Sequence, residues 1–227
     1  MEIRNFGQFI NWTQECHARS KLTLFRGQPV KGTLLPSIAR QNPKYDSTQL
    51  ERTMLDQFRL RGVSMLPNVG TNQLELLVVA QHFGLKTRLL DWTSNPLVAL
   101  YFACNEVSGE ESFVYALAAE TLVARDAYEK DPFSPPRTRI FQPPMNNPQI
   151  IAQHGWFTLH RFSDKSEGFV ALEKNPDTKP YLEEVQIPAA ARADLLQALA
   201  GHGVASHTLF PDLGGLSQYL NKTYSVA

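Results

Sequence analysis

The sequence predicts an α+β fold, a single domain in which N-terminal helices pack on a mixed or antiparallel sheet. Helical spacing comes first along the chain and strand-like alternation clusters later, unlike the regular alternation of a doubly wound sheet. No internal repeat or low-complexity tract stands out. The 227 residues are 43% hydrophobic and 19% charged, which is globular composition on a chain long enough to bury a substantial core.

Taken in order, Phe6, Phe9, Ile10 and Thr13 recur at helical spacing and predict an amphipathic helix from about Asn5 to Arg19. Lys21 to Phe25 reads as a strand ending in Arg26-Gly27-Gln28-Pro29, so Arg26 is expected at a strand end, where loops carry sites. Thr48-Gln49-Leu50-Glu51 has the pattern of a capping box. A helix is expected from there to about Arg61, with Leu50, Met54 and Phe58 on its apolar face. A turn is expected at Pro67-Asn68-Val69-Gly70, and Thr71 or Asn72 caps the next helix. Leu74, Leu77 and Val78 define the face of that helix, and Gly84 ends it as a left-handed residue.

Thr87 to Leu90 then reads as a short strand, and Pro96 opens a helix with Leu97, Leu100, Tyr101 and Cys104 on one face. Ser112 to Ala118 reads as a strand. Six prolines between 132 and 148 predict an extended surface connection inside the one domain, residues 1–227. Asn147-Pro148 starts a short helix that Gly155 ends, and Trp156 to His160 is a strand. Ser163 to Lys179 is a surface loop or hairpin, and Tyr181 to Ile187 is a strand stopped by Pro188. Ala189 to Ala200 is a helix closed by Gly201 and Gly203. Ser206 to Phe210 is expected as a last strand, and Pro211 starts a final helix with Leu213, Leu216 and Leu220 on its apolar face.

Composition narrows the function classes. There are 22 basic and 22 acidic residues, so the net charge is zero, which argues against general nucleic-acid or anionic-membrane binding. Cys16 and Cys104 form no metal-spaced pair and read as reduced core residues of a cytoplasmic protein. No signal peptide and no membrane-spanning run is apparent. His154 and His160 lack a third zinc ligand, so no metal is expected. No phosphate loop, dinucleotide fingerprint or nucleophile elbow is present.

The chemistry concentrates between Leu77 and Leu97. Gln81 and His82 continue the apolar helix face, and a buried amide and imidazole must be satisfied. Asp91, Thr93, Ser94 and Asn95 follow the next strand at once. A helix, a strand and a second helix start therefore deliver polar groups to one region, and Gln81, His82, Arg88 and Asp91 are expected around one pocket with Arg26 on its wall.

Four blocks carry a resemblance. They are Phe25-Arg26-Gly27; Gln81-His82-Phe83-Gly84-Leu85-Lys86-Thr87-Arg88-Leu89-Leu90-Asp91-Trp92-Thr93 with Ala99-Leu100-Tyr101-Phe102-Ala103; Gln153-His154-Gly155-Trp156-Phe157-Thr158; and Leu209-Phe210-Pro211-Asp212-Leu213. In this order they resemble the FRG domain family, named for the first block, over nearly the whole chain. Lys86 stands where that family usually has proline. Its members recur in bacteria and phages, and the likeness constrains the fold more than the reaction.

The order of parts is also similar to that of ADP-ribosyltransferases, which implies an ADP-ribosyltransferase-like fold and NAD consumed as substrate. Carried over by residue, Arg26 contacts NAD, Asp91 or Thr93 lines the nicotinamide pocket, and Glu184 stabilises the ribosyl cation. The Ser-Thr-Ser triplet of those enzymes is absent. The catalytic candidates are thus Arg26 and Glu184. The candidate cofactor-binding residues are Gly27, Gln28, Gln81, His82, Thr87, Arg88, Asp91, Thr93 and Gln153.

The chemistry of the mapping is coherent. Cleaving the N-glycosidic bond builds positive charge on the ribose, which a carboxylate stabilises. An arginine fork grips a pyrophosphate, and Gly27 permits close approach. Adjacent strand residues face opposite ways, so Tyr181, Glu183, Val185 and Ile187 share the more apolar face and Glu184 is expected on the polar one. The setting implied is a toxin or phage-defence effector with a protein acceptor or neutralising partner.

Each side chain also has a plain structural reading. Arg26 pairs with Asp91, Gln81 and His82 bond to backbone, Asp91 or Thr93 caps a helix, and Glu184 faces solvent. The alternative function is accordingly a non-catalytic module that binds a nucleotide or a protein through the same pocket.

Overall fold

Asn5 caps the first helix, α1 (Phe6–Arg19), by accepting from the Gln8 N–H, as the periodicity predicts. The computed structural model describes residues 1–66, 72–106 and 111–224. After α1 come β1 (Thr23–Gln28), α2 (Thr48–Gly62), α3 (Gln73–His82), β2 (Leu89–Thr93), α4 (Pro96–Cys104) and β3 (Glu111–Ala118). Next are β4 (Arg139–Phe141), α5 (Pro148–Ala152), β5 (Gly155–Leu159), a small ribbon of β6 (Phe162–Ser163) and β7 (Gly168–Phe169), and β8 (Leu182–Pro188). Three helices close the chain: α6 (Arg192–Gly201), α7 (Ser206–Leu209) and α8 (Leu213–Thr223).

The main sheet runs β4-β5-β2-β1-β3-β8 with every neighbour antiparallel, which makes the fold α+β. Its outer edges are occupied. Ile3 N donates to Gln186 O and Gln186 N donates to Met1 O along β8, and Ala124 N donates to Ile140 O along β4. One face carries the helices. Phe25, Val114, Val185 and Ile187 pack under α1, α4 and α6, and Leu89, Phe141, Phe157 and Leu159 pack under α2 and α3. On the other face Leu24, Leu90, Trp92, Phe113 and Tyr115 are covered by Leu34, Leu122 and Leu172 from irregular chain. Cys16 and Cys104 are free, buried thiols, and burial pushes them up to about 11 and about 12. Burial also holds the His160 imidazole down at about 3, so the ring is neutral. No helix among the described residues is long and apolar enough to cross a membrane.

The sheet is uneven in the middle. β1 pairs with β3 at six register positions, but the described pairing with β2 is the single position Phe25↔Thr93. The sheet is therefore split beyond that pair. Arg26 fills part of the gap, its Nη1 donating to the Asp91 carbonyl at 2.7 Å where a strand N–H would otherwise bond.

Several elements differ from expectation, each for a local reason. Arg26 lies inside β1, because β3 pairs with it through Gln28. β2 starts and ends later than expected and includes Asp91 and Thr93, because β5 pairs with it through Thr93. The α2 start is not a capping box. Glu51 turns inward, fully buried, and accepts from both Arg88 N at 2.6 Å and Arg88 Nε at 2.7 Å. That demand rotates the helix so that Leu55 is buried and Leu50 is 48% exposed. The Pro-rich connection includes the three residues of β4, paired to β5. α5 ends at Ala152 with Gln153 as its C-cap, and Gly155 begins β5 instead. Ser206–Leu209 is a helix, with the Thr208 hydroxyl accepting from Ala205 N; four residues are too few for alternation to tell strand from helix. Leu213, Leu216 and Leu220 face out of α8, at 81%, 42% and 41% exposure. Asn72 caps α3, whereas Pro67-Asn68-Val69-Gly70 and Thr71 lie outside the described residues.

The Glu51–Arg88 pair fixes the far end of β2. Arg88 Nη1 also donates to Phe133 O and Nη2 to Thr48 Oγ1, which ties α2 and the Pro-rich connection to the strand. Desolvation pushes the Glu51 carboxyl above its ordinary range, and the Arg88 charge and N–H groups pull it back. Removing one partner strands a buried charge, at a cost of about 3–5 kcal/mol. Arg88→Met is expected to lose about that much in urea unfolding, and Glu51→Leu with Arg88→Met to recover most of it. A single variant as stable as the parent would contradict this account of the pair.

Candidate functional site

The split between β1 and β2 opens into a pocket of ≈ 320 Å³ walled by both strands, α4, α5 and Phe210. A second pocket of ≈ 180 Å³ adjoins it and is lined by Gln81, His82 and Trp156. The two share Asp91, Trp92, Gln149 and Gln153, so together they form one cleft with a polar partition.

Arg26 stands at the wall of the larger pocket with its side chain 14% exposed. Burial lowers its pKa, Asp91 opposes that, and Arg40 adds to it. The Asp91 carboxylate is 3.8 Å away and 62% exposed, so solvent screens the ion pair and the bond to the Asp91 carbonyl is the firmer tie. Arg26 Nε has no acceptor among the described residues. The guanidinium is thus desolvated and incompletely bonded beside an open cavity.

A relay from the core sets Asp91. The Thr87 hydroxyl, fully buried, donates to Gln81 Oε1. That turns the Gln81 amide so that Nε2 donates to Asp91 Oδ1 at 2.8 Å. Thr93 has a structural task, donating to Gln153 O at 2.7 Å and accepting from Asn95 N, while Asn95 itself caps α4. Gln153 Nε2 donates to Leu209 O at 3.2 Å and holds the segment carrying Phe210 against the pocket, where Phe210 meets Phe102 edge to face.

Gly27 lines the pocket for a different reason from ligand approach. A Cβ there would lie 1.9 Å from Ala99 O and 2.6 Å from Ala103 N, so the glycine lets α4 sit directly on β1. Arg88 is not at the cleft; it is buried against Glu51 at the other end of the β2 region. Gln28 follows two residues after Arg26 on the same face, its Oε1 buried and without a donor among the described residues.

Glu184 lies on the face that carries Arg26, two strands away, because Arg26 pairs with Tyr115 and Tyr115 with Glu184. Its carboxylate is held by Lys31 Nζ at 2.9 Å. Glu183 points the other way, to Arg19. Burial raises the Tyr115 phenol, and the Glu184 charge and hydrogen bond raise it further. The structure thus gathers Arg26, Gly27, Gln81, His82, Asp91, Thr93 and Gln153 at the cleft, with Thr87 behind it and Arg88 elsewhere. Phe102, Gln149, Phe210 and Glu106 also line it. Phe102 and Phe210 read in the sequence as ordinary apolar residues of their blocks, and nothing distinguished Gln149 or Glu106. Among the described residues no group of His, Cys, Asp or Glu is placed to hold a metal ion.

The family model of the FRG domain matches residues 21–112. That segment supplies β1, α2, α3, β2 and α4, and with them Arg26, Gly27, Gln81, His82, Asp91 and Thr93. No curated protein and no solved structure matches the chain. Residues 21–112 therefore match the FRG domain family, and their Phe-Arg-Gly residues sit where α4 crosses β1.

Gly27→Ala is expected to destabilise the fold by about 1–3 kcal/mol or more, since backbone atoms of α4 must move. Urea unfolding of the variant measures this. Parental stability would mean that α4 does not bear on β1 as described.

Proposed function

We propose that the cleft at the β1–β2 split binds NAD or a similar nucleotide through Arg26, and that bound NAD loses nicotinamide there. The observation that carries the reading is the Arg26 guanidinium, desolvated, with an N–H to spare, at the wall of a pocket with aromatic sides. A phosphate or pyrophosphate supplies the acceptors such a fork needs. Phe102 and Phe210 offer flat apolar surface to a ring, and the Gln81, Gln149 and Gln153 amides offer donors and acceptors to its edge.

For the chemical step, the C1′–N bond breaks and its electron pair leaves with nicotinamide. The ribosyl cation is stabilised by a carboxylate, and an acceptor hydroxyl adds with loss of its proton. Asp91 lines the cleft, where its Oδ1 accepts from Gln81 Nε2 and its Oδ2 lies 3.8 Å from Arg26, so it is the first candidate for that carboxylate. Glu184, two strands away and bonded to Lys31, is the second. The acceptor is water or a group on a macromolecule, and a cytoplasmic toxin or phage-defence effector with a neutralising partner is the setting the resemblance implies.

The engagement of both carboxylates favours a second reading. Asp91 already bonds Gln81 and Glu184 already bonds Lys31, as in a cleft that binds a nucleotide without cleaving it.

Incubation with NAD separates the two, with free nicotinamide and the melting temperature as readouts. The proposal expects both to rise with the parent protein, and Arg26→Lys, which keeps the charge and loses the fork, to abolish the thermal shift. Asp91→Asn is expected to keep the shift and cut nicotinamide release by about a hundredfold or more, while Glu184→Gln is mild. The reverse pattern moves the role to Glu184. A thermal shift without turnover establishes the binding module, and no shift with NAD or other nucleotides overturns the proposal.

A further inference from the structure

A cavity of ≈ 390 Å³, larger than either part of the cleft, lies between α6 and α8, with Tyr101 of α4 also on its lining. Its two helical walls differ in character. α6 presents Ala193, Leu196 and Ala200 at helical spacing, a largely apolar surface with Gln197 beside it. α8 presents Gln218, Tyr219 and Lys222.

The orientation of α8 is the reverse of ordinary helix packing. Its leucines face outward, and its polar stripe faces the cavity. The helix is held chiefly through α7, so the cavity occupies the space where a second helix face would normally make direct contact. Lys222 has no ion-pair partner among the described residues, and it is the one charged side chain on the cavity lining.

We infer that the slot between α6 and α8 is a second ligand site, built for a small amphipathic carboxylate. Its apolar body lies on Leu196 and Ala200 with the Tyr219 ring opposite, and its carboxylate meets Lys222. The size falls in the range of small-molecule pockets, about 300–1,000 Å³. Lys222 selects an anion over a neutral or basic ligand, since among the described residues no acidic side chain lines the slot to favour the others. The site is independent of the nucleotide reading, since none of its lining residues touches the β1–β2 cleft.

Isothermal titration with decanoate tests it, with decanol as the neutral counterpart. The parent protein is expected to bind decanoate saturably at one site. Ala200→Trp, which fills the slot, is expected to abolish binding. Lys222→Glu, at an exposed residue without an ion-pair partner among the described residues, is expected to weaken decanoate about tenfold or more and leave decanol unchanged. Leu216→Ser with Leu220→Ser alters only the outer stripe and is expected to have no effect. Absence of saturable binding, equal binding by Lys222→Glu, or loss of binding through the outer leucines would each overturn the assignment.

Discussion

Arg26 stands in for a missing piece of sheet. Where β1 and β2 part, its guanidinium takes the Asp91 carbonyl that a paired strand would have bonded. This charge-assisted bond to the backbone is the firmer tie, because the contact with the exposed Asp91 carboxylate is longer and screened by solvent. The same bond that keeps the open sheet from fraying also fixes a cation at the mouth of the cavity the split creates. Gly27 completes the arrangement by admitting α4 to within backbone contact of the strand, so that Val98, Ala99 and Phe102 become the cavity wall. The closure of the sheet and the shape of the cavity wall therefore rest on two adjacent residues.

Around this point the molecule is arranged in shells of decreasing burial. Glu51 and Arg88 lock the start of β2 in the interior. Thr87, next to Arg88, passes orientation outward through Gln81 to Asp91. Gln153 binds Thr93 on one side and the Leu209 carbonyl on the other, and so joins β2 to the C-terminal segment that carries Phe210. Polar groups that look redundant in the sequence form short hydrogen-bonded chains side by side along β2, as buried polar groups require.

Much of this path was legible from residue pattern. Gln81 and His82 stood on an apolar helix face, and the density of polar side chains after Leu90 marked a place where several elements meet. Periodicity also placed α1, α3, α4, β3 and β8, because each alternates or repeats over enough residues to fix its face. The failures share a cause, which is that tertiary partners decide what local pattern leaves open. Glu51 looks like a capping residue until Arg88 arrives from 37 positions away. Arg88 itself reads as part of the polar block, and only burial assigns it to the core. The outward turn of the α8 leucines contradicts amphipathic expectation altogether, since the helix is oriented by its attachment to α7 rather than by its own apolar stripe.

The central claim is that the split beside Arg26 is a binding cleft rather than an irregularity of the sheet. A crystal structure of the protein grown with NAD tests it most directly. The account predicts nucleotide density between β1 and β2, with phosphate oxygens on the Arg26 guanidinium and a ring between Phe102 and Phe210. An empty cleft with NAD bound elsewhere, or a β1–β2 gap closed by a continuous ladder, would contradict it.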